Sequence, residues 1–164
     1  MASLLKAIAM LAAVVVMSGC GLQPYVRQID RSDYPYRFAG FDYRYAWNVA
    51  RTEQGIVIDG IMKNVRYPYV GSVELTVFVQ GKDEKIIARE TTFPMPQQTR
   101  EGDVCHFSLL LKGIKPVPGD RFQFLVHYRG SEGRDEDIDW ISSFTADALT
   151  GAIIHPAGGT TAAG

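Results

Sequence analysis

Cysteine is almost missing from this chain: Cys20 and Cys105 are the only two. An N-terminal role for Cys20 leaves one thiol, so no intramolecular disulfide framework can staple the fold, and a packed core must hold it. Charge of one sign is missing too. There are 17 Lys and Arg against 18 Asp and Glu, a formal net charge of −1, and no basic run of five. That balance removes the electrostatic reason to expect nucleic acid as a partner. No apolar run is long enough to span a bilayer. The best, residues 7–17, falls well short of the ~20 residues that a spanning helix needs. Catalytic signatures are also lacking. No Gly-x-Ser-x-Gly elbow, Gly-rich phosphate loop or His-Glu-x-x-His occurs, so nothing points to an enzyme and no cofactor is called for.

What is present begins at the N-terminus. Lys6 precedes the apolar stretch 7–17, and Met17-Ser18-Gly19-Cys20 follows. A short charged segment, an apolar segment and small residues before a cut describe a secretory signal. The four residues ending in Cys20 resemble the lipobox of bacterial lipoproteins, with Met17 where Leu is usual. That resemblance implies cleavage before Cys20, a diacylglycerol thioether on its sulfur and acylation of its freed amine. Each buried CH₂ contributes about 0.8 kcal/mol, and one chain alone holds only marginally. Several chains on one residue therefore tie the body to the bilayer. In the family an Asp after the Cys tends to retain the protein in the inner membrane. Gly21 stands there instead, which implies the outer membrane, facing the periplasm.

Residues 20–41 carry Pro24, Pro35 and Gly40 without a clean period, and read as the lipidated Cys followed by a tether. Strand periodicity starts at residue 42. Tyr43, Tyr45, Trp47 and Val49 alternate with polar or small residues, and six further candidate strands follow, most of them alternating. Among them are Val73-Leu75-Val77-Val79, Cys105-Phe107-Leu109-Leu111 and Phe122-Phe124-Val126-Tyr128, separated by turn-forming segments such as 52–55, 81–84 and 112–120. No helical period persists. The fold class read from this is all-β: an Ig-like sandwich of about seven antiparallel strands over 42–146, with a partly open barrel as the alternative. Residues 147–164 are Gly- and Ala-rich towards their end and read as a flexible tail.

Three segments also resemble the FxLyD-type Ig-like domains of bacterial envelope lipoproteins. They are "IDGIMKN" at 58–64, "VELTVFVQGKDEKII" at 73–87 and "REGDVCHFSLLL" at 100–111, with Gln80 where that family has Asp. The resemblance covers about residues 45–130 and implies the fold, and a binding or spacing module with no shared chemistry.

Four groups of residues are candidate sites. Tyr67 and Tyr69 flank Pro68 in "RYPYV", echoed by "YPYR" at 34–37. Tyr gives large contact area at low entropy cost, so these are candidate partner-binding residues, and covering the open end of the core is their other reading. Trp47 and Trp140, if exposed on a flat face, would suit a carbohydrate or peptidoglycan surface. Asp135, Asp137 and Asp139 have the i, i+2, i+4 spacing of calcium ligands, yet Trp140 and Ala146 stand where Gly and a bidentate Glu are needed. The run reads first as a solvated loop entering an edge strand. His106 and His127 would share one outer surface if their strands are neighbours, while His155 lies in the tail. Cys105 falls on the inward face with Phe107.

The chain is therefore expected to be a lipid-anchored, non-catalytic binding or structural accessory module of the cell envelope. Its partners would be the bilayer, through acylated Cys20, and an envelope protein. A carbohydrate-binding module is the alternative, and a periplasmic hydrolase is a more distant one.

Overall fold

Period-two alternation governs the long strands, and it sorts their side chains between a shared core and two wet faces. The computed structural model describes residues 34–131 and 137–154, all within the unit Arg31–Gly164. The signal peptide, Cys20, most of the expected tether, Asp135 and His155 lie outside the described residues.

Nine strands are present: β1 Tyr36–Ala39, β2 Tyr43–Thr52, β3 Gly55–Asn64, β4 Tyr69–Gln80, β5 Ile86–Thr92, β6 Val104–Lys112, β7 Arg121–Ser131, β8 Ile138–Asp147 and β9 Ile153–Ile154. One sheet has the order β1-β2-β3-β6 and the other β5-β4-β7-β8-β9, with every strand pair antiparallel. Strands β2 to β8 are the seven expected. They follow Ig-like connectivity, with the first, second and fifth in one sheet and the third, sixth and seventh in the other. The fourth, β5, pairs with β4, whereas constant-type Ig domains place that strand beside the fifth.

Two boundaries differ from the sequence expectation. The stretch read as tether ends in β1, which pairs with β2 from Tyr36↔Trp47 to Ala39↔Arg44. The stretch read as tail opens with buried Ala148 and then β9, which pairs with the end of β8. Each addition is too short for periodicity to register. Pro35 and Gly40 also bracket β1, which made it read as loop.

The core lies between the inward faces. Trp47 is 0% exposed and meets Phe124 and Phe144 of the opposite sheet at 5.4 Å between ring centroids. Phe124 and Phe144 stack at 4.5 Å, and Phe38 of β1 stacks on Phe144 at the same distance. Offset aromatic contacts of this kind add about 0.5–1.5 kcal/mol each beyond area burial. They sit at the centre of a sandwich without a disulfide. Gly60 pairs with Phe107, whose ring covers it so closely that an added Cβ would lie 2.3 Å from a ring carbon. A bare backbone is therefore what lets β6 place its ring there.

Strand direction defines two ends. The β1–β2 turn, the β3–β4 and β5–β6 loops, the end of β7 and the start of β8 share the loop end. The β2–β3, β4–β5, β6–β7 and β8–β9 turns share the turn end.

Candidate functional site

The loop end is built around one asparagine. Asn64 closes β3 and is fully buried. Its Oδ1 accepts from the backbone N–H of Arg66 at 3.1 Å and of Tyr67 at 3.0 Å, and its Nδ2 donates to the Tyr67 carbonyl at 2.8 Å. The side chain thus imitates a turn of backbone, as Asn commonly does. Its main chain ties in the β5–β6 loop: Gly102 N–H donates to Asn64 O at 2.9 Å, and Asn64 N–H donates to Asp103 O at 3.0 Å. Val70 and Thr99 exchange two more bonds at 2.8 and 2.9 Å, and Val65 N–H donates to Asp42 O at 2.9 Å. Three connections are in this way fastened into one surface by hydrogen bonds within the chain.

Arg66 stands on that surface. Its Nη1 lies 3.2 Å from Asp42 Oδ1, and the hydroxyl of Tyr128 donates to the other carboxylate oxygen of Asp42. Burial, then the Asp42 carboxylate, push the Tyr128 phenol far above its ordinary range, so it remains a donor. The guanidinium carbon sits 4.4 Å from the centroid of Phe41, 5.0 Å from Tyr67 and 6.0 Å from Trp140. A guanidinium over ring faces contributes about 0.5–2 kcal/mol, more as water is excluded. Phe41 is 78% exposed over this arrangement, and Tyr69 is 40% exposed at the start of β4. Aromatic residues and Arg are the types that dominate binding hot spots.

The sequence candidates divide. Tyr67 is buried, with its ring 6.1 Å from Trp140 and 6.4 Å from Tyr128. It fills the space left by Gly130, where an added Cβ would lie 3.1 Å from its ring. It therefore covers the core and shapes the surface from beneath. Tyr69 belongs to β4, not to a loop, and keeps its exposure. Trp47 is not a surface residue: the alternation that made β2 a strand turned it inward. Trp140 is half-buried beside Tyr67, and its indole N–H has no hydrogen-bond partner among the described residues.

Asp137 and Asp139 are exposed. Asp139 is occupied across the sheet, with Oδ1 at 3.3 Å from Arg129 Nε and 3.7 Å from His127 Nε2. Among the described residues no three His, Cys, Asp or Glu side chains gather to hold a metal. His106 and His127 do not share a surface, because β6 and β7 belong to different sheets. Cys105 is in the core with Sγ 3.5 Å from Met62 O. Burial pushes its thiol up to about 12.

Phe41, Asp42, Arg66 and Tyr128 were not candidates in the sequence. Asp42 and Arg66 are 24 positions apart and Asp42 and Tyr128 are 86 apart, so no local pattern signals the cluster.

No family model matches the chain, and no curated protein is similar to it. Among solved structures, one similar chain is Bacteroides uniformis beta-glucuronidase 2, covalently bound to cyclophellitol-6-carboxylate aziridine. The identity is 16% and the TM-score 0.34, with 63% of this chain and 13% of that chain covered. A likeness at that level carries no argument about function.

Proposed function

We propose that this chain is a lipid-anchored lipoprotein of the bacterial envelope, held through acylated Cys20. Its sandwich acts as a non-catalytic binding module that presents the loop end to an envelope protein. The observation that carries this reading is the preformed surface around Arg66, with Phe41 exposed above the guanidinium, and Tyr69 exposed at the start of β4 on the same end of the sandwich. Exposed rings on a hydrogen-bonded scaffold lose little entropy on binding. The lipobox-like Met17-Ser18-Gly19-Cys20 supports the anchor, and Gly21 supports an outer-membrane, periplasm-facing location. The carbohydrate reading asked for Trp47 or Trp140 exposed on a flat face; Trp47 is buried and Trp140 half-buried.

Two measurements test the parts separately. Radiolabelled fatty acid should enter the native chain and not Cys20→Ser, and only the native chain should float with membranes. A photo-crosslinking residue at Phe41 or Tyr69 in intact cells should trap one discrete protein. The same residue at Leu110, on the outer face of β6, should not. Equal labelling from all three positions contradicts the loop end as the binding surface.

A further inference from the structure

The turn end carries a second exposed surface of different character. The β4–β5 turn is closed by Gly81 N–H to Lys85 O and Glu84 N–H to Gly81 O, both 2.9 Å. It lies against the β6–β7 loop: a Cβ at Gly119 would fall 2.4 Å from Lys82 Cε and 2.6 Å from Lys82 Cγ. The lysine stem thus lies along the glycine and joins the two loops. Around that seam, Val117 is 55% exposed, Ile86 58% and Ile87 53%. Lys112, at the end of β6, and Lys115, in the loop that follows, are exposed. Of the nearby carboxylates, Asp83 is paired with Lys85 at 3.0 Å, and Asp120 is buried, accepting from Val117 N–H at 2.9 Å. Glu84 stays exposed in the turn and Glu53 in the neighbouring β2–β3 turn. Aliphatic side chains flanked by Lys are what an anionic lipid surface attracts: the chains enter the headgroup boundary and the ammonium groups remain among the phosphates.

Chain direction points the same way. Because β1 is antiparallel to β2, with Tyr36↔Trp47 and Ala39↔Arg44, the chain enters β1 from the turn-end side and runs towards the loop end. The Tyr36 ring lies against Gly151 of the β8–β9 turn, where a Cβ would meet it at 2.6 Å. The segment 21–33 can span at most about 45 Å when extended. A ten-residue strand such as β2 is roughly 34 Å long. A segment of that reach would not set orientation by itself, whereas a face that attracts the bilayer would.

We propose that the β4–β5 turn and β6–β7 loop form a bilayer-contact face, which seats the sandwich on anionic lipid and directs the loop end away from the membrane. This rests on the lipid-anchor reading. It gives that reading an orientation: the anchor and Val117 face the bilayer, and Phe41 and Tyr69 face the partner.

The test uses the full acylated chain in vesicles of phosphatidylethanolamine with 30% phosphatidylglycerol. Cys105 is buried and acylated Cys20 is blocked, so a fluorophore can be placed on Val117→Cys or on Phe41→Cys alone. Quenching by lipids with a quencher near the headgroup should be at least threefold stronger at position 117 than at position 41. Lys82→Glu with Lys115→Glu should bring the two towards equality while flotation is unchanged. Equal quenching in the native sequence, stronger quenching at position 41, or no response to the charge reversal overturns the seating and leaves the anchor standing. A chain that carries no acyl group and does not float overturns both.

Discussion

Replacing Asn64 with Ala removes a single side chain that satisfies three backbone groups. The Tyr67 N–H and C=O are both enclosed, and they lose their partners without gaining water. The Arg66 N–H lies nearer the surface and can be hydrated. A net hydrogen bond contributes about 0.5–1.5 kcal/mol, and an orphaned buried group costs about 1–3 kcal/mol. With two groups orphaned and one rehydrated, the expected loss is roughly 2–6 kcal/mol. A domain of this size has only about 5–15 kcal/mol in total. Urea unfolding followed by tryptophan fluorescence reads this directly, because Trp47 sits in the core and Trp140 beside Tyr67. The midpoint should fall with the slope unchanged. Asn64→Asp sharpens the test. Its carboxylate keeps the acceptor but opposes the Tyr67 carbonyl at 2.8 Å from the atom replaced. When protonated it can donate to that carbonyl again. Burial raises such a carboxyl above its unfolded value of about 3.9, so stability is present at low pH and lost as pH rises. A loss below about 1 kcal/mol for the Ala variant, or an Asp variant indifferent to pH, would refute the assignment of Asn64 as the fastener of the loop end.

Three further outcomes are expected. Gly60→Ala places a methyl 2.3 Å from the Phe107 ring and 2.6 Å from the Ala46 carbonyl oxygen, so it should destabilise by about 1–3 kcal/mol or more. Adding Phe107→Leu should restore only part of the urea midpoint, since the carbonyl belongs to the backbone. Asp147 is desolvated, which pushes its carboxyl up, but bonds from Thr150 N–H, Thr150 Oγ1 and Leu149 N–H outweigh this and hold it below the usual range. Its stabilisation is present above about pH 4 and lost as pH falls through the folded value, so urea midpoints for Asp147→Asn should decline less in acid than those of the native chain. Cys105, with its thiol pushed up to about 12, should react with an aromatic disulfide reagent only as fast as the protein unfolds; labelling that outpaces unfolding contradicts its enclosure.

Most strands from β2 to β8 were legible because they bury one face and wet the other, and that demand writes itself into the sequence at every second residue; β5, an edge strand with no buried residue, was legible only from the turns that flank it. Trp47 shares that alternation with Tyr43, Tyr45 and Val49, yet it is among the surface candidates; the structure buries it in the core. Sheet membership was a different matter. β6 and β7 are successive in the chain, but the 113–120 connection crosses between sheets, and nothing local in His106 or His127 reports that. Tyr67 and Tyr69 look equivalent around Pro68, yet one lies before β4 begins and turns inward, while the other lies within it and faces out. The Asp42–Arg66–Tyr128 contacts depend on three strand ends meeting, which only the folded register decides. β1 and β9 were hidden by their brevity.

The four paired residues of β1 have a mechanical meaning. Ladder hydrogen bonds run across the strands, and a chain drawn out of β1 from its N-terminal side is drawn along the strand axis. Tension between a membrane anchor and a partner gripping the opposite pole would thus load those bonds together in shear, not peel them one at a time. Such a joint resists a tug far better than a zipper of equal length, so its first strand would serve as a strain-relief clip between cord and body.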